Sequence, residues 1–314
     1  MQRRGIYFLA NDRLFEPVVA FLNSLRAHNP EIPLCLIPYD KNTSRIQALA
    51  SRYNFSTLDD GVLLSRCDAI SILFHNRIRG HYRKIAAWSG IFDEFLYIDI
   101  DTVVLKSVDI VFPLLGQYDV VTAHSNVPES RMFVWKDSIR SNSELTASEI
   151  DYAANTGFIL SKLGLFAESG IDSLVKRAKE LTPHMELECV EQPLLNYLIV
   201  KSTHQYTSLR RLNEQSSTGK LPEECWAGDV GWEIENSGIC RYRGRASDVL
   251  FVHWSGVMVP RKWERRLFSV LGRFGFNPPS MRLHLKQGLL WRYYRNLNQP
   301  NESRAAGYAS TGRR

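Results

Sequence analysis

The chain has 314 residues, 44% of them hydrophobic and 23% charged, the composition of a soluble globular protein. No run of about 18 uninterrupted apolar residues occurs, which excludes a membrane-spanning helix, and the opening MQRRGIYFLANDR is interrupted too early for a secretory signal, so a cytoplasmic protein is expected. The five cysteines, Cys35, Cys67, Cys189, Cys225 and Cys240, contain no C-x-x-C pair, which argues against a disulfide framework or a zinc site. The net charge of +6 is concentrated at one end: from Arg261 onward there are twelve Lys/Arg and two acids, Glu264 and Glu302.

In chain order, Gly5–Ala10 reads as a buried strand, and Leu14, Val18, Phe21 and Leu25 as the apolar stripe of a helix that ends near Pro30. Leu34–Ile37 is a second strand, closed by Pro38. Asn42 or Thr43 then caps a predicted helix with Ile46, Leu49 and Tyr53 on its apolar face. A helix is predicted over His81–Gly90, and Phe95–Ile98 is the third strand, running directly into Asp99-Ile100-Asp101. Further strands are predicted over Tyr118–Ala123 and Thr156–Ser161, and helices over Leu163–Leu181 and Glu188–Val200. Residues 202–248 lack periodicity. Val249–Val252 is the last strand and delivers His253. This alternation of strands and helices predicts an α/β domain with a mostly parallel sheet over residues 1–260. A helical extension follows over 261–297, then a tail over 298–314 whose composition predicts disorder.

Asp99 and Asp101 are the most informative pair. Two carboxylates separated by one residue at the end of an apolar strand stand where open α/β sheets bind ligands. Such oxygen ligands suit Mg2+ or Mn2+. Read alone, D-x-D is also a common solvated tripeptide, and a histidine after an apolar strand is commonly structural. Ala10 and Asn11, after the first strand, and Asp40, after the second, occupy places suited to base and ribose recognition, although Asp40 reads equally well as a turn residue.

Leu96-Tyr97-Ile98-Asp99-Ile100-Asp101-Thr102-Val103-Val104 resembles the L-Y-L-D-x-D-x-x-V signature of GT-A glycosyltransferases, most of all the glycogenin and bacterial galactosyltransferase group, family 8. Other motifs follow in family order. Tyr82-Arg83-Lys84-Ile85 resembles Y-x-R-L, Asn155-Thr156-Gly157-Phe158-Ile159-Leu160 resembles N-[SA]-G-[VF]-x-L, Glu191-Gln192-Pro193-Leu194-Leu195-Asn196 resembles D-Q-x-x-L-N, and His253-Trp254-Ser255-Gly256 resembles H-x-x-G. The sequence departs from the pattern at Asn11, where an aspartate is usual, at Lys84 and Glu191, and in lacking K-P-W after the last motif.

The resemblance implies a GT-A fold and transfer of a sugar, with retention, from a nucleotide diphosphate donor, UDP-linked, to a hydroxyl acceptor. It implies a Mn2+ or Mg2+ ion on Asp99, Asp101 and His253. Lys84 would meet phosphate or sugar hydroxyls, Ser255 and Gly256 would bring backbone to the diphosphate, and Asn155, Glu191 and Gln192 would hold the sugar. A sugar-phosphate nucleotidyltransferase would need an early glycine-rich loop, yet no glycine occurs between Gly5 and Gly61. A non-catalytic nucleotide-sugar binding protein is the other alternative. No nucleic-acid motif is present.

The basic C-terminal segment carries two apolar stripes at helical spacing, Trp263, Leu267, Val270, Phe274 and then Met281, Leu285, Leu289, Tyr293. They predict either helices packed on the domain with arginines outward or a peripheral contact with an anionic membrane inner face, bringing the enzyme to a lipid-linked acceptor. The acceptor itself, whether a glycan, a lipid-linked sugar or a small molecule, leaves no motif.

Overall fold

The computed structural model describes residues 3–127, 131–166, 168–203, 205–217, 220–227, 232–234, 240–242, 245–255, 270 and 279–297. Its centre is a seven-stranded sheet built from β1 (Arg4–Ala10), β2 (Leu34–Pro38), β3 (Phe55–Thr57), β4 (Glu94–Ile98), β6 (Val120–Thr122), β7 (Phe158–Lys162) and β8 (Tyr206–Ser208), in the order β3-β2-β1-β4-β7-β6-β8. Neighbours are parallel except where β7 runs against both β4 and β6. The predicted α/β class with a mostly parallel sheet is therefore what the chain adopts.

Helices cover both faces, which explains why β1 and β4 are continuous apolar runs. The period of two sends Tyr7, Leu9, Phe95 and Tyr97 to one side, where they pack with Phe74, Trp88 and Leu198. Ile6, Phe8, Leu96 and Ile98 face the other side, against Val18, Phe21, Leu22 and Leu25 of the first helix, Phe15–His28.

Several elements differ from their sequence expectations. The helix Gly61–His75 was not predicted, because apolar residues on its buried side (Cys67, Ile70, Phe74) are matched by exposed Val62, Ile72 and Leu73, so no stripe stands out. The helix expected after Thr43 is two short ones, Ser44–Gln47 and Ala50–Tyr53. Thr43 makes no cap bond; the Asp12 carboxylate accepts from the backbone N–H groups of Arg45 and Ile46 instead. The His81–Gly90 stretch is a 3-10 helix over Gly80–Ser89. The Leu163–Leu181 helix begins at Glu168, after Gly164 with φ +74°, and the Glu188–Val200 helix begins at Gln192, after Val190 with φ +57°. Among its described residues, the region 202–248 holds β8 and four short strands whose few residues show no period, β9 (Glu223–Trp226), β10 (Trp232–Ile234), β11 (Cys240–Tyr242) and β12 (Arg245–Ser247).

Among the described residues there are two further three-stranded sheets, β10-β11-β12 and one built around β13 (Val249–His253). β13 lies between β5 (Thr102–Val104), to which it is antiparallel, and β9, to which it is parallel. The helix Pro279–Asn296 packs on the first helix: Asn23 donates to the Tyr294 carbonyl at 2.8 Å, the Tyr294 hydroxyl meets His28 Nε2 at 2.9 Å, and Arg295 pairs with Glu16. Leu290 and Trp291 pack against the cluster of Val103, Val252 and Trp254, while Leu289 and Tyr293 are exposed. The Trp263–Phe274 stripe, Val270 apart, and the tail 298–314 lie outside the described residues. Among the described residues, no helix is long and apolar enough to cross a membrane.

Candidate active site

The carboxyl ends of β2, β1 and β4 stand side by side and carry Asp40, Asn11 and Asp99 respectively. The Asp99–Asp101 loop links the large sheet to the sheet of β5, β13 and β9 and is tied at both ends. The Asp99 amide donates to the Gly157 carbonyl at 2.8 Å, and the Trp254 amide donates to the Asp101 carbonyl at 2.9 Å. Because β13 pairs with β5 in a register that sets His253 opposite Thr102, the imidazole arrives beside Asp101. One ligand atom each of Asp99, Asp101 and His253 lie within 4.8 Å of one another.

His253 is 1% exposed. Its Nδ1 is 2.7 Å from Glu224 Oε1, while Nε2 lies 3.3 Å from Asp101 Oδ1 without hydrogen-bond alignment, so it is a buried polar nitrogen with no hydrogen-bond partner. A nitrogen so placed, between carboxylates, is what a divalent cation completes. Burial opposes charge on this ring, but the Asp101 and Glu224 carboxylates outweigh it and hold its pKa well above the ordinary value. A cation held by these residues would reverse that balance, taking the place of the Nε2 proton.

Behind Asp99 lies a buried ionic network. Lys84 is 3% exposed; its ammonium is 2.6 Å from Glu191 Oε1 and 3.1 Å from Asp99 Oδ1. It also sits 4.9 Å from the centroid of the Tyr97 ring, whose hydroxyl donates to Asp99 Oδ1 at 2.6 Å. Burial works against the charges, yet the two carboxylates hold the Lys84 pKa above its ordinary value. Burial likewise opposes the Asp99 charge, but Lys84 and His253 bring its pKa below normal. Gly157 closes the cluster: a Cβ there would lie 2.4 Å from His253 Cε1 and 3.0 Å from both Asp99 Oδ2 and Asn155 Oδ1.

Residues distant in sequence thus converge. Asp99, Asp101, His253, Lys84 and Glu191 form one cluster, and Thr156 joins Gln192 to it, its amide donating to Gln192 Oε1 at 3.2 Å and its hydroxyl to Glu191 Oε1 at 3.5 Å. Asn155 turns its side chain back to accept from the Gly157 amide at 2.8 Å. Gln192 also donates to the Phe133 carbonyl at 3.0 Å. Asn11 and Asp40 form a separate pair, Asn11 Nδ2 donating to Asp40 Oδ2 at 2.8 Å, next to Ala10, whose carbonyl accepts from the Tyr39 amide. The Ser255 carbonyl accepts from the Trp226 indole, and Gly256 lies outside the described residues.

Sequence reasoning passed over Tyr97 and Glu224. Tyr97 was legible: two residues before Asp99 on a strand, it shares a face with it. Glu224 was not, since only the pairing of β9 with β13 brings it near His253.

No protein-family model matches the chain, and no curated protein matches it in sequence. Solved structures do match. The galactosyltransferase LgtC, solved in complex with donor and acceptor sugar analogues, superposes with a TM-score of 0.54 at 16% identity, over 89% of this chain and 99% of its own. Mouse xyloside xylosyltransferase 1 superposes with a TM-score of 0.52 at 11% identity, over 82% of this chain and 99% of its own. The bifunctional glycosyltransferase WbbM superposes with a TM-score of 0.52 at 11% identity over 85% of this chain, which spans only 51% of that longer protein. With the seven-stranded sheet, the strand-end aspartates and these neighbours together, the chain has the GT-A fold of the nucleotide-sugar glycosyltransferases.

Proposed function

We propose that the chain is a glycosyltransferase that moves a sugar from a nucleotide diphosphate donor to a hydroxyl acceptor, with Asp99, Asp101 and His253 holding a divalent cation. The observation that carries this reading is the cluster of those three residues at the carboxyl edge of the sheet, with His253 Nε2 buried beside Asp101 and without a hydrogen bond. Two carboxylates and one imidazole suit Mn2+ somewhat better than an all-oxygen site would, with Mg2+ as the alternative. When bound, the cation supplies Lewis-acid stabilisation of the charge on the departing diphosphate.

The chain's own residues do the rest. Asp99 and Asp101 bind and orient, and Gln192 and Asn155 offer amide groups to the sugar hydroxyls. Glu191 acts through Lys84, whose charge is committed to Glu191 and Asp99. Asn11 and Asp40, with the Ala10 backbone, are assigned to the base and ribose, and Ser255 and Gly256 to the diphosphate. A UDP-linked donor and retention of configuration rest on the sequence resemblance. The acceptor is a glycan, a lipid-linked sugar or a small molecule. A peripheral contact with an anionic membrane is assigned to the basic C-terminal segment, supported by the exposed Leu289 and Tyr293 beside Arg292; liposome co-sedimentation that shows no dependence on anionic lipid removes it.

The test is release of nucleoside diphosphate from labelled donors, screened across nucleotide sugars with Mn2+. Asp101→Ala is expected to abolish it. Full activity of that variant, or of the wild type after chelation, overturns the site. Donor binding without any turnover overturns the enzyme reading in favour of a binding protein.

A further inference from the structure

We infer that Glu224 is a positioning residue for the cation site: its carboxylate fixes the His253 ring with the proton on Nδ1, so that Nε2 is the atom offered to a divalent cation. The inference rests on the proposed cation-binding role of Asp99, Asp101 and His253.

The geometry comes from strand pairing. In the register of β9 with β13, Glu224 stands opposite Phe251, and Phe251 and His253 share a face of β13 by the period of two. The Glu224 side chain therefore reaches His253 diagonally across the pair, at 2.7 Å from Nδ1. Glu224 is 9% exposed, and a charged carboxylate in such a position needs a partner; His253 Nδ1 supplies it.

An ionised carboxylate only accepts hydrogen bonds, so Nδ1 has to donate. A neutral imidazole has a single N–H, which leaves a lone pair on Nε2. With the second ring proton gone, Nε2 and Asp101 Oδ1, 3.3 Å apart, are two ligand atoms offered to one cation. Without Glu224 the ring could carry its proton on Nε2, donate to Asp101 and present no ligand atom to the site. Outer carboxylates of this kind also raise the basicity of the nitrogen on the far side of the ring, and their loss typically weakens metal affinity by about 10- to 100-fold.

A purely structural Glu224 would affect folding but leave cation affinity and ring tautomer unchanged, so the experiment reads the last two. The full chain is titrated with Mn2+ and the free ion followed by electron paramagnetic resonance, for the wild type, Glu224→Gln, Glu224→Ala and the control Asp101→Asn. Glu224→Gln keeps the shape but presents either an oxygen or an NH2 group, so it no longer dictates the tautomer. The expected result is a fall in Mn2+ affinity of about 10- to 100-fold in both Glu224 variants. Imidazole 15N spectra of the wild type with diamagnetic Mg2+ are expected to show the His253 proton on Nδ1; this measurement holds even if the variants fail to fold.

Wild-type affinity in folded Glu224→Gln and Glu224→Ala, with binding lost in Asp101→Asn, overturns the role of Glu224 and leaves the cation site standing. A proton on Nε2 in the Mg2+-loaded wild type overturns it likewise. Absence of any Mn2+ binding by the wild type overturns both the site and this inference.

Discussion

Removing the ammonium of Lys84 tests the network behind the cation site. In Lys84→Met the stem stays and the charge goes, leaving Asp99 and Glu191 without their shared partner. The two carboxylates are not equally exposed: the Asp99 side chain is 29% accessible and can be rehydrated, whereas that of Glu191 is 5% accessible and cannot. Among the described residues, Glu191 retains the Thr156 hydroxyl, at 3.5 Å, as its side-chain hydrogen-bond partner. Breaking a buried ion pair by removing one member costs about 3–5 kcal/mol, and the cost here is carried mainly by Glu191. Adding Glu191→Gln removes the stranded charge and is expected to restore about 1–3 kcal/mol, the penalty of an unsatisfied buried group. Urea unfolding at neutral pH measures both. Asp99, released from Lys84 but still held by Tyr97, is expected to bind Mn2+ more tightly while donor turnover falls. A loss below about 1 kcal/mol in Lys84→Met refutes the buried network. A double variant no more stable than the single one refutes the assignment of the cost to Glu191.

Other predictions address the remaining parts of the site. The His253 pKa is raised in the cation-free chain above its unfolded value of 6.5, so the stability it contributes is full below that pH and lost as pH rises through the raised value. Mn2+ replaces the proton, so thermal melts should show a larger Mn2+-induced rise at about pH 8.5 than at about pH 6; an equal rise at both refutes the exchange. In Gly157→Ala the new Cβ meets His253 Cε1 at 2.4 Å, and with the ring pinned by Glu224 the ligands must part. Mn2+ affinity should fall by at least about 10-fold with a stability loss of about 1–3 kcal/mol, and wild-type affinity by titration contradicts this. Val190, at φ +57° and ψ −105°, holds a β-branched residue in the left-handed half of the map directly before Glu191. Val190→Gly relieves strain of about 1–3 kcal/mol, offset in part by about 1 kcal/mol of chain entropy, so stability should hold or rise while turnover falls as Glu191 loses its fixed approach to Lys84. A loss of stability above about 2 kcal/mol refutes the strain.

Much of the domain was legible because its signals are local. The apolar runs of β1, β2, β4 and β13 are long enough to read directly, and the first helix shows a clean stripe. The Asp99–Asp101 pair was visible at a strand end because a charged pair terminates an apolar run. Where local signal failed, tertiary contact had replaced it. The short helix after Thr43 takes its cap from Asp12, about thirty residues earlier in the chain, and β9 consists of four residues without a period. The Gly61–His75 helix is apolar on both faces. Lys84 by itself reads as a surface lysine and is in fact buried between two carboxylates.

Sequence by itself therefore determined the α/β class, the placing of a carboxylate pair at a strand end and the order of the motifs, since each depends on residues within a turn or a strand of one another. The motif resemblance already grouped His253 with Asp99 and Asp101, and the tertiary structure supplies the register that brings them together; only the tertiary structure decided that Glu224 stands behind His253 and that Lys84 is enclosed by Asp99 and Glu191. Those contacts depend on register between β5, β13 and β9 and on the packing of the Gly80–Ser89 segment against the sheet. Register is set by which faces are buried together, a property of the assembled sheets that no single segment carries.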